Sequence, residues 1–211
     1  MKLWSDGWTN GERIPARYAA GRLSDAGEVQ ASDNISPHLA WSDLPPGTCS
    51  LAIICQDFDA PAQADLPVSG GKEIAADVHR VDFFHWLLVD LPPSCTGLAE
   101  GEFSRGFTLR GKPGPQAAHG ARQGLNDYTG WFASDPGKAG QYFGFDGPFP
   151  PAHDALVHHY VLTLFALAVP RLAVAGAFTG AQVRAALPGL VLADATLSAT
   201  YTLNRRLWRD G

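Results

Sequence analysis

Six residues have the types and spacing to bind an anion, hold a metal or move a proton: Asp57, Asp59, His85, His158, His159 and Tyr160. Asp57 and Asp59 stand two apart in QDFDAP, so an extended chain aims both carboxylates to one side, and Pro61 stiffens the exit. His85 interrupts the apolar run FFHWLLV, where an unpartnered buried imidazole costs roughly 1–3 kcal/mol. In VHHYVLTLFAL, strand alternation puts His158 and Tyr160 on one face and His159 on the other. Each residue alone also fits a plainer role, Asp as the cap of a turn or His as a satisfied core side chain. Together they suit two chemistries. Imidazole and phenol donors with loop N–H groups would cradle a phosphate-like anion; two His and one carboxylate would ligate a metal. The same set could perform general acid-base work.

The elements that must position these residues read as mostly β. Apolar or alternating runs at 48–56, 81–91, 157–169 and 191–204 predict four buried strands, the second stopped by Pro92 and Pro93. On this reading Asp57 and Asp59 follow directly on the first strand. Thr179 is an N-cap for a helix over GAQVRAAL that Pro188 and Gly189 end. The segment 104–141 has no sustained period and is rich in Gly, Pro and aromatics. Its aromatics argue against disorder and predict an ordered segment over or beside the site.

Composition narrows the function. Sixteen Lys plus Arg against twenty-one Asp plus Glu, a charge of -5 and no basic run leave no footprint for nucleic acid. No apolar stretch approaches the ~20 residues of a spanning helix or resembles a signal peptide, which predicts a cytoplasmic protein. Cys49, Cys55 and Cys95 are an odd set without CxxC spacing and read as reduced core thiols. A chain of this size buries roughly 70% of its surface, so residues 1–211 are expected to form one domain that needs no disulfide, metal or cofactor. P-loop, G-x-S-x-G and H-E-x-x-H elements are missing from the sequence.

Three blocks in order, ASDNISPHLAWSDLPPGTCSLAIICQDFDAP, FFHWLLVDLPP and GPFPPAHDALVHHYVLTLFAL, resemble the phosphatidylethanolamine-binding protein family in its bacterial Raf-kinase-inhibitor-like branch. The resemblance spans 33–91 and 144–203. It implies a β-sandwich with a large antiparallel sheet, a few short helices and a shallow pocket for phosphate, phosphorylethanolamine or a similar small anion. DFDAP resembles the family's D-P-D-x-P, which implies Asp57 at the pocket wall with Asp59 and Pro61 supporting its loop. FFHW supplies His85. HHY resembles H-R-Y, which implies His158 and Tyr160 in the pocket and His159 facing away. GPFPP resembles G-P-x-P-P, which implies a backbone rim from Gly147 and Pro148. Asn34, Ser36, Pro37, Leu39 and Trp41 look like the scaffold beside that rim. Phe58 replaces a family proline, and 63–82 and 104–141 look long for a bacterial member.

The leading expectation is a non-enzymatic protein that binds phosphate-containing anions or phospholipid headgroups. His85, His158 and Tyr160 would donate, loop amides near Gly147 would complete the cradle, and Asp57 would orient a histidine. Affinity should then rise below pH ~6.5, where imidazole charges. The alternatives are an acid-base or metal-assisted hydrolase in the same pocket and, as in eukaryotic members, a regulator of protein partners; a homodimer is compatible with all three.

Overall fold

The structure, a computed structural model, describes residues 1–62, 66 and 72–208. The 63–82 stretch, read as long, lies partly outside the described residues. In chain order the strands are β1 (Lys2–Trp4), β2 (Gly21–Leu23), β3 (Val29–Ala31), β4 (Leu39–Ser42), β5 (Ser50–Pro61), β6 (Arg80–Leu91), β7 (Gly97–Leu98), β8 (Arg122–Gln123), β9 (His158–Leu167) and β10 (Val191–Tyr201). Antiparallel pairing joins five of them in the order β10-β9-β5-β6-β8, a smaller sheet runs β1-β4-β7, and β2 pairs with β3. The four predicted runs are the four long strands. One differs in extent: β5 continues through DFDAP, so Asp57 and Asp59 lie within the strand and not in a turn after it.

Period-two alternation sends the side chains of these strands to two cores. On one face Leu51, Ile53, Cys55, Leu162 and Leu164 pack against Leu39, Trp41 and Leu98 of the small sheet. On the other, Ala52, Ile54, Leu87 and Val89 are covered by Leu172, Phe178 and helix α2 (Gly180–Ala186; a one-turn α1 at Tyr128–Trp131 precedes it) through Val183 and Leu187. The expected cap is in place, with the Gln182 side chain accepting from the Thr179 N–H at 2.9 Å. Each fully buried Leu or Ile in these layers contributes roughly 1.5–3 kcal/mol. Of the cysteines only Cys55 is a core thiol; Cys95 is half-buried and Cys49 is exposed, because Cys49 precedes the strand proper.

The small sheet covers only the half of the main sheet near the start of β5. Over the other half lies the 104–141 segment, fixed by polar contacts that need no regular secondary structure. Asp127 and Phe84 exchange two bonds, amide to carbonyl at 2.9 Å and Phe84 amide to the Asp127 carboxylate at 2.8 Å. Asp146, fully buried, accepts from Asn34 Nδ2 at 2.7 Å, Lys112 Nζ at 2.5 Å and Asn126 Nδ2 at 2.8 Å. The carboxylate thus ties the block at 33–41 to two points of the 104–141 segment, and the backbone of the same residue is bonded to His85 on the sheet.

Removing that carboxylate leaves the half-buried Lys112 ammonium without its ion-pair partner and takes one acceptor from each of two buried amides, which keep the Gly106 and Gly144 carbonyls, an arrangement that costs about 2–3 kcal/mol. Asp146→Ala is therefore expected to lower the urea midpoint strongly and to open 104–141 to protease, with Asp146→Asn milder because it keeps an acceptor. A midpoint for Asp146→Ala within about 1 kcal/mol of the parent would show that the hub is dispensable.

Candidate functional site

At the uncovered end of the main sheet, β5, β6 and β9 floor a cavity of about 550 Å³. Asp57, Ala60 and Pro61 of β5, Phe83 and His85 of β6, and His158 and Tyr160 of β9 line it. Two bulges decide who is there. Cys55 pairs with Trp86 but Gln56 with Phe84, so His85 is an extra residue in β6. Strict alternation from Leu87 and Val89 would bury Trp86 on one face and turn His85 to the other; the bulge keeps both on the cavity side. The second bulge lies between Asp57 and Ala60 and acts the opposite way. It separates the two carboxylates that the extended reading aimed together. Asp57 stays on the cavity floor, accepting the Asp59 N–H at 2.7 Å, while Asp59 turns to the outer face and accepts the Nδ1–H and the backbone N–H of exposed His159, both at 2.8 Å.

The two cavity histidines differ in charge. Both ring nitrogens of His158 face carboxylates, Nδ1 to Asp57 at 2.7 Å and Nε2 to Asp154 at 3.2 Å. Burial works against its charge, but the bonds to Asp154 and Asp57 prevail and hold the imidazolium up to about 9. Asp154, whose burial is likewise outweighed by His158, Arg80 and the Leu156 amide, is held down at about 2. Arg80 completes the chain with bonds of 2.6 and 3.0 Å to Asp154. Alternating signs along Asp57, His158, Asp154 and Arg80 cancel, and both N–H groups of His158 are spent inside the protein. His158 is therefore a positioned cation and not a free donor to a ligand.

His85 is the reverse case. Its Nδ1 lies 2.8 Å from the Asp146 carbonyl, which can only accept, so the hydrogen is on Nδ1 and Nε2 carries a lone pair. Burial lowers its pKa despite Asp57 and the Asp146 carbonyl, and the ring stays neutral. Among the described residues Nε2 makes no hydrogen bond. Beside it, with ring centroids 5.2 Å apart, the Tyr160 hydroxyl is buried near the Asp57 carboxylate and meets no partner at good hydrogen-bond geometry. Burial, then the nearby Asp57 charge, push the Tyr160 pKa well above its ordinary value, so it remains a phenol.

Gly147 and Pro148 are not rim residues. The Gly147 amide donates to Asn34 Oδ1 at 2.7 Å, its carbonyl accepts from the Tyr128 hydroxyl at 2.8 Å, and the Pro148 carbonyl accepts from Ala20 and Gly21. A Cβ on Gly147 would stand 2.0 Å from the Tyr18 carbonyl, so the glycine serves close backbone approach, not ligand contact. The lining continues instead through Phe149 to His153 and through Phe107, Leu109, Tyr128, Trp131, Phe132 and Lys138 of the 104–141 segment. Asp154, Arg80 and Asp146 were missed by sequence reasoning. The i,i+4 spacing of Asp154 and His158 was a readable signal; Arg80 and Asp146 had none.

Two outcomes follow from this geometry. The raised pKa of His158 stabilises the fold fully below the unfolded value near 6.5, and that contribution, on the order of 3 kcal/mol, is lost as pH rises through about 9. The melting temperature should therefore fall between pH ~6.5 and ~9 and stay flat in His158→Gln, and nitrogen-15 spectra at pH 7 should show His158 doubly protonated and His85 neutral. A flat parent profile contradicts the assignment. Gly147→Ala is expected to cost about 3 kcal/mol or more, read from denaturation midpoints, because the clash is with backbone.

Comparisons with known proteins agree with this architecture. The family model described as phosphatidylethanolamine-binding protein matches residues 4–202. The UPF0098 protein YbhB of Escherichia coli K12 is 30% identical over 202 residues, covering 96% of this chain and all of its own length. A UPF0098 protein of Aquifex aeolicus is 28% identical, with 95% of this chain and 88% of the relative covered. Among solved structures, E. coli YbcL, described as a new member of the mammalian PEBP family, superposes with a TM-score of 0.66 at 27% identity over 95% of this chain and 97% of its own. The Chlamydia trachomatis PEBP homologue CT736 gives 0.61 at 26% identity, with 95% of each chain covered. A model match over nearly the whole chain, with a mostly β fold shared by these structures, establishes that the chain belongs to the phosphatidylethanolamine-binding protein family.

Proposed function

We propose that this protein binds a small ligand through a phosphate-bearing head, free or on a phospholipid, at the closed end of the cavity. Family membership supports a ligand-binding role; one observation carries the finer reading. His85 Nε2 and the Tyr160 hydroxyl lie side by side on the cavity floor, one an acceptor and one a donor; among the described residues Nε2 makes no hydrogen bond, and the hydroxyl, though near the Asp57 carboxylate, is not met at good hydrogen-bond geometry. Leaving a buried donor such as the Tyr160 hydroxyl unmet costs about 1–3 kcal/mol. A phosphate that keeps one proton meets both, its P–OH donating to Nε2 and another oxygen accepting from Tyr160. The imidazolium of His158 behind them offsets the Asp57 charge that would otherwise repel an anion.

The hydrolase alternative is poorly served. His158 has no lone pair to act as a base or to ligate a metal, and no Ser, Thr or Cys stands among the described lining residues for His85 to activate. The three cysteines, all unbridged, support a reducing setting and hence the cytoplasm.

The proton count fixes the pH dependence. One proton lies between His85 and the phosphate, whichever of them is said to own it. A monoester loses that proton near pH ~6, so its affinity falls above that pH by up to tenfold per unit. Calorimetric titration of phosphorylethanolamine from pH 5 to 8 should show this fall, and Tyr160→Phe should weaken binding about 5- to 10-fold, the equivalent of one hydrogen bond. Affinity independent of both pH and Tyr160 would remove the floor from the binding mechanism.

A further inference from the structure

From the walls of the cavity we infer the class of ligand: a phosphate head carried on a planar aromatic body, which Phe107, Tyr128, Trp131, Phe132 and Phe149 select. This rests on the reading of the floor given above and adds to it. Size comes first. A volume of 550 Å³ equals roughly eighteen waters, far more than phosphate or phosphorylethanolamine displaces, and falls in the range of pockets that enclose ligands with a substantial apolar body.

Chemistry comes second. Among the described residues the lining contains leucine only at Leu66 and Leu109, and no Val, Ile or Met; the walls are rings. Flexible aliphatic side chains, which adapt to an acyl chain, are few, whereas the rings hold one another in fixed attitudes. Tyr128 and Phe132 stack at 5.6 Å and 16°, and Phe107 stands edge-on to both, at 5.7 and 6.1 Å. Phe83 is edge-on to Tyr128 at 5.1 Å and to Trp131 at 6.1 Å. Such a lattice continues most favourably with another ring, in the same edge-to-face or offset geometry.

Charge comes third. Aromatic walls also suit a quaternary ammonium. Here the cation position over Phe132 is held by Lys138, whose Nζ lies 5.2 Å from the ring centroid and which itself lines the cavity. Lys138, itself paired with Asp135 at 3.2 Å, already occupies that face of Phe132, which leaves no place there for a second cation. Phe149 and Leu109, 42% and 63% exposed, stand where the rest of the aromatic body would meet solvent.

The test is a series of probes on the full chain: inorganic phosphate, phosphorylethanolamine, phosphorylcholine, hexyl phosphate, phenyl phosphate, 1-naphthyl phosphate and 1-naphthol. The aryl phosphates are expected to bind at least tenfold tighter than inorganic phosphate and tighter than hexyl phosphate. Phe149→Ala and Trp131→Ala should each remove most of that gain while the affinity for inorganic phosphate stays unchanged, which also reports that the variants fold. Equal affinities across the phosphates, hexyl phosphate or phosphorylcholine as the best binder, or a gain that survives both substitutions would overturn the aromatic class and leave the floor intact. Failure of every phosphate, or 1-naphthol binding as tightly as its phosphate, would instead overturn the reading of the floor.

Discussion

A carboxylate with no access to water sits where the block at 33–41 meets the 104–141 segment beside the cavity. Burying Asp146 would be prohibitive if it were alone, since desolvation of an ion costs several kcal/mol even after relaxation. It is tolerated because one ammonium and two amide groups converge on it, each from a different stretch of chain. The consequence is geometric. Residues 34, 112, 126 and 146 have a single mutually satisfying arrangement, and the backbone that carries them inherits that arrangement. The carbonyl of the same residue then dictates which nitrogen of His85 holds the hydrogen, and the next residue must be glycine for the chain to pass the Tyr18 carbonyl. The tautomer in the cavity is thus an outcome of the same contact that holds the aromatic wall.

How far this was legible depends on whether a feature is periodic. The four long strands, α2 and its cap were visible because burial imposes period two or 3.6 on apolar residues. So was the opposite facing of His158 and His159. The positions of His85 and Asp59 were not, because each depends on a bulge, and a bulge is a departure from the period that alternation assumes. The family resemblance brought His85 to the right place for a reason parity would have denied. For Asp59 the extended reading failed outright: one inserted residue sends it to the outer face. Gly147 was misread because a motif says that glycine is required without saying whether space, backbone angle or ligand requires it.

Charge was the least legible property. Two histidines of equal unperturbed pKa lie on one floor, and their surroundings drive them apart: His158 between two carboxylates is a cation, His85 against a carbonyl is neutral. Nothing in FFHW or HHY distinguishes them. The difference arises from Asp154, supplied by the segment between β8 and β9, whose residues carry no periodic signal, and from the burial of His85, which lowers its pKa although the Asp146 carbonyl works the other way. It also changes the chemistry on offer. A pair of interchangeable imidazoles would attract an anion by becoming charged together, whereas here the charge is held up to about pH 9, internally balanced and set behind a neutral donor-acceptor pair.

The cavity itself follows from a mismatch of length. β5 and β6 each run twelve residues, but the strands of the small sheet have three, four and two, so regular packing cannot cover the whole face of the main sheet. The remainder is covered by a segment with neither helical nor strand period, and large rings spanning from separate anchor points wall the space without filling it. Apolar surface left uncovered by other side chains forgoes their dispersion contacts, and an unmet polar atom adds to the cost. In a chain that elsewhere packs Trp86, Leu88 and Leu164 with no exposure at all, the cavity and the unmet Tyr160 hydroxyl coincide at one end of three strands. Buried polar atoms without a partner also occur at Trp8, Gln56, Arg80 and Trp208, but of these five residues only Tyr160 lines the cavity, so there an uncovered apolar surface and an unmet donor fall together, which is the physical signature of a surface shaped for something other than the chain itself.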